Sequence, residues 1–160
     1  MTLPPPAAKA AAMSSNTARS AARLGAVQAL YQHEMQGDPL ARLLHEFHSH
    51  RLGQEIEGAE YAAADRDFFD DLVTGTMARQ GEIDGLITGA LATGWAMDRL
   101  DRPMRALLRA ATYELVARAD VAAATVINEY VEVSHAFHAE KEAKFVNGLL
   151  DTVARQVRPA

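Results

Sequence analysis

Apolar residues recur at three- and four-residue spacing through almost the whole 160-residue chain, and alternating runs of β-branched residues, the mark of strands, are nearly absent. That periodicity confines the chain to an all-α fold. It predicts helices near 16–36, 39–52, 63–80, 82–93, 102–119, 122–138 and 140–157. Asp38-Pro39 and Asp101-Arg102-Pro103 supply cap-then-proline starts, and Gly53 supplies a stop. A chain of this length with 49% hydrophobic residues can build one domain with a substantial core, burying roughly 70% of its unfolded surface.

Punctuation between the helices refines this picture. Gly53 to Ala64 is acidic and contains glycine, and reads as a surface loop linking two subdomains of one bundle. Gly81, Gly85 and Gly89 recur every fourth residue, which leaves one helical face without side chains and predicts close approach of another helix there. Gly148 invites the same reading. Met1 to Ala12 holds three consecutive prolines and many alanines without the aliphatic core of a signal peptide. Residues 1–15 are therefore expected to form a disordered extension and 16–160 the helical domain, with Met13 a possible alternative start. The longest uncharged stretch beyond this start, Gly85 to Met97, is far shorter than the roughly 20 apolar residues of a membrane span. With no Cys, thiolate chemistry and Cys-based zinc sites are excluded and a reducing, cytoplasmic location is the default.

Charge is unevenly distributed. The net charge is −5, yet the first 33 residues carry Lys9, Arg19 and Arg23 and no Asp or Glu before Glu34. Arg19, Arg23, Ala26 and Leu30 share one helical stripe, cationic first and apolar later. Because buried arginines without carboxylates are costly, the first turns should lie at the rim of the bundle. Two readings stand on charge alone: a solvated helix start, or the edge of a face that meets RNA. In the last helix, Phe145 lies between the apolar arc of Val146, Leu149, Leu150 and Val153 and the cations Lys141, Lys144 and Arg155. An aromatic beside lysines can stack an unpaired base while the ammonium groups meet phosphates, although a core Phe flanked by surface lysines is the commoner arrangement. Arg99, Arg102, Arg105 and Arg109 flank the core face of the fifth helix, where Asp98, Asp101 and Glu114 can neutralise them. That cluster reads as structural or partner-facing.

Nothing points to catalysis. His45 and His48 are three apart where the zinc-protease signature needs four, and neither His50 nor the His135/His138 pair completes a ligand set. Asp65, Asp67, Asp70 and Asp71 read as a solvated acidic face that would repel RNA towards an opposite basic side. No nucleophile–base pair can be argued from spacing, and no cofactor is implied.

Four segments in order carry a resemblance. Arg19 to Tyr31, Leu-Leu-Arg-Ala-Ala-Thr-Tyr-Glu-Leu at 107–115, Ile127-Asn128-Glu129, and Lys-Phe-Val-Asn-Gly-Leu-Leu-Asp at 144–151 closely resemble the NusB family of bacterial transcription factors. The resemblance implies a non-enzymatic, seven-helix fold of two subdomains that pairs with NusE, a small-subunit ribosomal protein. The pair would bind the single-stranded boxA element of nascent ribosomal RNA and join NusA, NusG and RNA polymerase. It places RNA contacts at Arg19 and Arg23, with Gln28, Tyr31, Lys144 and Phe145 matching the remaining RNA-facing positions. Ser20 and Ala21 stand where the family often has further arginines, which implies a thin grip that depends on the partner. The alternatives are a structural homodimer and an RNA-engaging module like that of ribosomal RNA cytosine methyltransferases. For that enzyme the chain has neither a Rossmann-type segment nor a Cys.

Overall fold

The computed structural model describes residues 7–50, 65–137 and 140–158. Among these the helices are α1 (Ala7–Gln36), α2 (Leu40–His50), α3 (Arg66–Ala78), α4 (Gln80–Ala90), α5 (Arg102–Ala117), α6 (Ala123–His135) and α7 (Glu140–Val157), with no strand. The expected helices are all present. α1 begins earlier than periodicity places it, because the alanine-rich stretch ahead of Thr17 has no polar–apolar contrast from which to read a boundary. A single 3-10 turn at Met97–Arg99 was not anticipated. The expectations placed on Gly53–Ala64 and on His138 lie outside the described residues.

Local chemistry explains several boundaries. Asp65 caps α3 by accepting a hydrogen bond from the Phe68 amide at 3.0 Å, and Asp101 caps α5 by accepting from the Met104 amide at 2.8 Å. Pro103 follows inside the first turn of α5, where a missing N–H costs nothing. At the other end of α5 the exposed carbonyls are claimed by one side chain. Arg158, just past α7, donates to the carbonyls of Leu115 at 2.8 Å and Arg118 at 2.7 Å, and also to that of Val121.

α5 is the axle. It packs against α1, α3, α4, α6 and α7, and is buried nearly all round, from Met104 through Ala106, Leu107, Leu108, Ala110 and Ala111 to Leu115. α1, α2 and α3 pack on one another on one side, and α4, α6 and α7 gather on the other.

The glycine expectation is corrected. A Cβ at Gly81, Gly85, Gly89 or Gly148 would meet nothing within 4 Å, so these faces are open and admit no neighbouring helix. Four-residue spacing marks a face, but it does not say whether that face points inward. The close approach is instead at Gly75, where a Cβ would lie 2.1 Å from Cζ of Tyr113. The Tyr113 hydroxyl donates to Asp71 at 2.6 Å. Burial first, and then that bond, pushes the phenol up to about 12.

Two outcomes follow from this packing. Gly75→Ala should lower stability by about 1–3 kcal/mol through overpacking, whereas Gly81→Ala should raise it by about 0.5–1 kcal/mol through helix propensity; thermal unfolding of both distinguishes a packed glycine from an open one. Since folding raises the Tyr113 pKa, its stabilisation is complete below the ordinary value of about 10 and is lost as pH rises through about 12. Tyr113→Phe should therefore flatten the alkaline loss of stability measured by denaturant titration.

Candidate nucleic-acid interface

The two arginines of α1 have different environments. Arg23 is buried, with 2% of its surface exposed. Its Nε donates to Glu114 at 3.0 Å and one terminal nitrogen to the other Glu114 oxygen at 2.8 Å, while its second terminal nitrogen lies 3.3 Å from Glu129. Glu114 is fully buried and also accepts from the Tyr130 hydroxyl at 2.9 Å. Burial opposes the Arg23 cation, but the hydrogen bonds and charge of Glu114 outweigh it and hold the guanidinium above its ordinary pKa. The same surroundings, burial foremost, push the Tyr130 phenol well above the usual range. The expectation of a rim position is therefore corrected for Arg23. It rested on the absence of acids in α1, and the fold supplies Glu114 from α5 and Glu129 from α6. Ser20, where a further arginine was looked for, donates to Glu129 at 2.9 Å.

Arg19 is half-buried at the edge, 3.7 Å from Asp65 and 3.8 Å from Asp120. The guanidinium carbons of Arg19, Arg23 and Arg118 lie 4.5, 5.0 and 4.9 Å from the centre of the Phe68 ring, whose face attracts cations. Arg19 and Arg23 line a cleft of about 360 Å³ together with Asp120, Thr125 and Glu129. The acid-free start thus becomes an ion-paired surface once folded. The acidic stretch is not the opposite, solvated face either: Asp65 faces Arg19, Asp70 meets His48 at 2.6 Å, and Asp71 serves Tyr113 and Arg118. Charge runs along a sequence do not reveal partners from other helices.

The arginines of α5 also differ from expectation. Arg105 pairs with Glu34 and donates to the Leu100 carbonyl. Arg109 pairs with Asp84 at 2.8 Å and lies 3.5 Å from Glu34. Asp101 caps the helix and Glu114 is taken by Arg23, so Arg105 and Arg109 are tied to α1 and α4 rather than neutralised along α5.

Phe145 belongs to a second cleft. It is 37% exposed and helps line a space of about 460 Å³ with Trp95, Leu100 and Met104. Lys144 beside it is exposed and has no carboxylate partner among the described residues. Gln28 and Tyr31 are half-buried along α1 and line neither cleft, and Tyr31 packs against the core. The sequence reading missed Trp95, which is 52% exposed. It lies in a segment without periodicity, and its signal was that it is the chain's single Trp, set next to a glycine.

The two clefts lie at opposite ends of α5. Arg19 is level with Asp120, past the end of the helix, and Phe145 with Met104, near its start. From Met104 to Arg118 is roughly 20 Å at 1.5 Å per residue.

The family model described as the NusB family matches residues 20–155, from within α1 to within α7, beginning one residue after Arg19. The chain belongs to the NusB family. A relative from Novosphingobium aromaticivorans, a transcription antitermination protein NusB, is 64% identical, with 90% of this chain and 97% of the relative covered. NusB of T. maritima shares the fold with a TM-score of 0.71 and 31% identity over 88% of this chain and 93% of that one. A structure of antitermination factors NusB and NusE in complex with dsRNA matches with a TM-score of 0.71 over 86% of this chain and 96% of that one. At 24% identity it is a likeness of fold. Among the described residues no helix is long and apolar enough to cross a membrane.

Within this NusB-family fold, removal of the buried carboxylate should be severe. Glu114→Ala leaves Arg23 and the Tyr130 hydroxyl buried without their partner and should cost about 3–5 kcal/mol, measured as a lowered urea midpoint with an unchanged slope.

Proposed function

We propose that this protein is a non-enzymatic transcription antitermination factor that, together with NusE, holds the single-stranded boxA element of nascent ribosomal RNA. The observation that carries the reading is membership of the NusB family over residues 20–155, with close relatives that bear the antitermination name. The fold shared with the NusB chain of the complex with NusE and dsRNA supports the choice of partners. We further propose that the factor joins NusA, NusG and RNA polymerase and acts in the cytoplasm.

The residues divide the work by exposure. Arg19 and Lys144 are the accessible cations for phosphates, and Phe145 is the accessible aromatic for a base. Arg23 acts indirectly: its charge is satisfied by Glu114 and Glu129, and it fixes the face of α1 that presents Arg19. Gln28 and Tyr31 lie at intermediate levels along α1, where a strand running between the clefts would pass. At about 3.4 Å per stacked nucleotide, the 20 Å between the clefts corresponds to about six nucleotides, fewer if the strand is extended. One exposed and one half-buried cation make a thin grip, which accounts for the need for NusE.

Salt-titrated binding of a boxA-like RNA in the presence and absence of NusE tests this. Arg19→Ala and Lys144→Ala should each make the slope of log affinity against log salt shallower by about 0.7. Phe145→Ala should weaken binding by about 1–3 kcal/mol and leave the slope unchanged. An affinity unmoved by all three in the presence of NusE sinks the reading.

A further inference from the structure

Arg19 is the exception among the arginines that join helices. Arg23, Arg105, Arg109 and Arg118 each donate a hydrogen bond to a carboxylate. Arg19 has two carboxylates beside it and hydrogen-bonds to neither, with Asp65 at 3.7 Å and Asp120 at 3.8 Å. Both acids are pinned by other partners. Asp65 caps α3 through the Phe68 amide at 3.0 Å, and its own amide donates at 3.1 Å to the carbonyl of Ala18, the residue before Arg19. Asp120 accepts from Nε and one terminal nitrogen of Arg118 at 3.1 and 3.0 Å, and these bonds hold its carboxyl below the usual carboxylate range. The Arg19 guanidinium is steadied by the Phe68 ring, whose centre is 4.5 Å away. Its charge is thus opposed by two fixed negative charges while, among the described residues, no side chain accepts from its N–H groups.

An arginine placed for stability alone would gain more from a direct, charge-assisted bond. One placed to attract phosphate alone would gain from having no acid beside it. The arrangement at Arg19 fits a third purpose, a cation whose grip is restrained. A phosphate that approaches it finds free donors, but it also approaches two carboxylates that are held in place, and their repulsion opposes it. Physiological salt does not lift this opposition, because the contacts are shorter than the Debye length of about 8 Å. We propose that Asp65 and Asp120 are restraining residues for RNA binding: they keep Arg19 from closing on any passing single strand, so that it grips phosphate only in a strand already anchored elsewhere. This inference rests on the RNA-binding reading. It adds two residues that act by opposing Arg19, and it makes dependence on a partner a built property of the cleft.

The test removes the acids and keeps the cation. Asn preserves the size of each side chain and, at position 65, a capping oxygen for α3, and circular dichroism checks that the fold is retained. The probe is a labelled oligouridylate, read by anisotropy without NusE, beside a boxA-like RNA with NusE. Asp120→Asn should tighten binding of oligouridylate about threefold, and Asp65→Asn/Asp120→Asn about tenfold. The gain should vanish when Arg19→Ala is added, whereas Arg19→Ala alone should change oligouridylate binding by less than twofold. A gain that survives Arg19→Ala assigns the effect to net charge or to the released Arg118, and overturns the inference. Oligouridylate binding that does not tighten in Asp65→Asn/Asp120→Asn overturns it too. Both results leave the RNA-binding reading standing if Arg19→Ala weakens binding of the boxA-like RNA with NusE. If the unaltered protein with NusE does not bind the boxA-like RNA, the RNA-binding reading falls and this inference with it.

Discussion

The buried carboxylate of Glu114 is the constraint around which the bundle is arranged. A charge fully removed from water needs several well-directed partners, and here they come from Arg23 on α1 and Tyr130 on α6, while Glu114 itself sits on α5. Three helices distant in sequence are thereby held in one relative rotation and one axial register. A purely apolar interface of the same helices would tolerate sliding far better, because dispersion and desolvation are not directional. The register matters for recognition. It sets which turn of α1 emerges beside Asp65 and Asp120, and hence where Arg19 can meet a ligand.

The two clefts divide the labour between charge and shape. The Arg19 end is polar and crowded with carboxylates, so an anion there competes with Asp65 and Asp120 at 3.7–3.8 Å, contacts long enough to be exchanged. The Phe145 end has apolar walls, with the exposed Arg99 in its lining. The α5 helix between them makes their separation a fixed length, against which a strand bridging the clefts in the proposed function would be measured.

Much of the fold was legible in the sequence, and the reasons are physical. Helix identity follows from a period that side chains impose on the backbone, and Asp101-Arg102-Pro103 names its own cap. What was not legible is whatever depends on contacts between helices. Arg23 looked exposed because its neutralising acids lie 91 and 106 positions away in the chain. The glycines of α4 looked packed because spacing gives a face but not its direction, whereas Gly75, isolated in its helix, is the one that Tyr113 occupies. The partly exposed place of Phe145 was legible from its position between apolar and cationic neighbours. Trp95 escaped notice because a cleft formed by a loop and two helices has no period.

Arg158 has a consequence for the order in which the molecule can be completed. Its guanidinium closes the carbonyl end of α5, yet in synthesis it comes after every helix, about 40 residues later than the carbonyls it binds. Until then the Arg118 carbonyl has the Val121 amide as a donor at 3.0 Å, and the rest of that helix end is left to water. Arg158 is therefore a latch that can be set only once α7 has been made, which ties the finished shape of that end of the bundle to completion of α7.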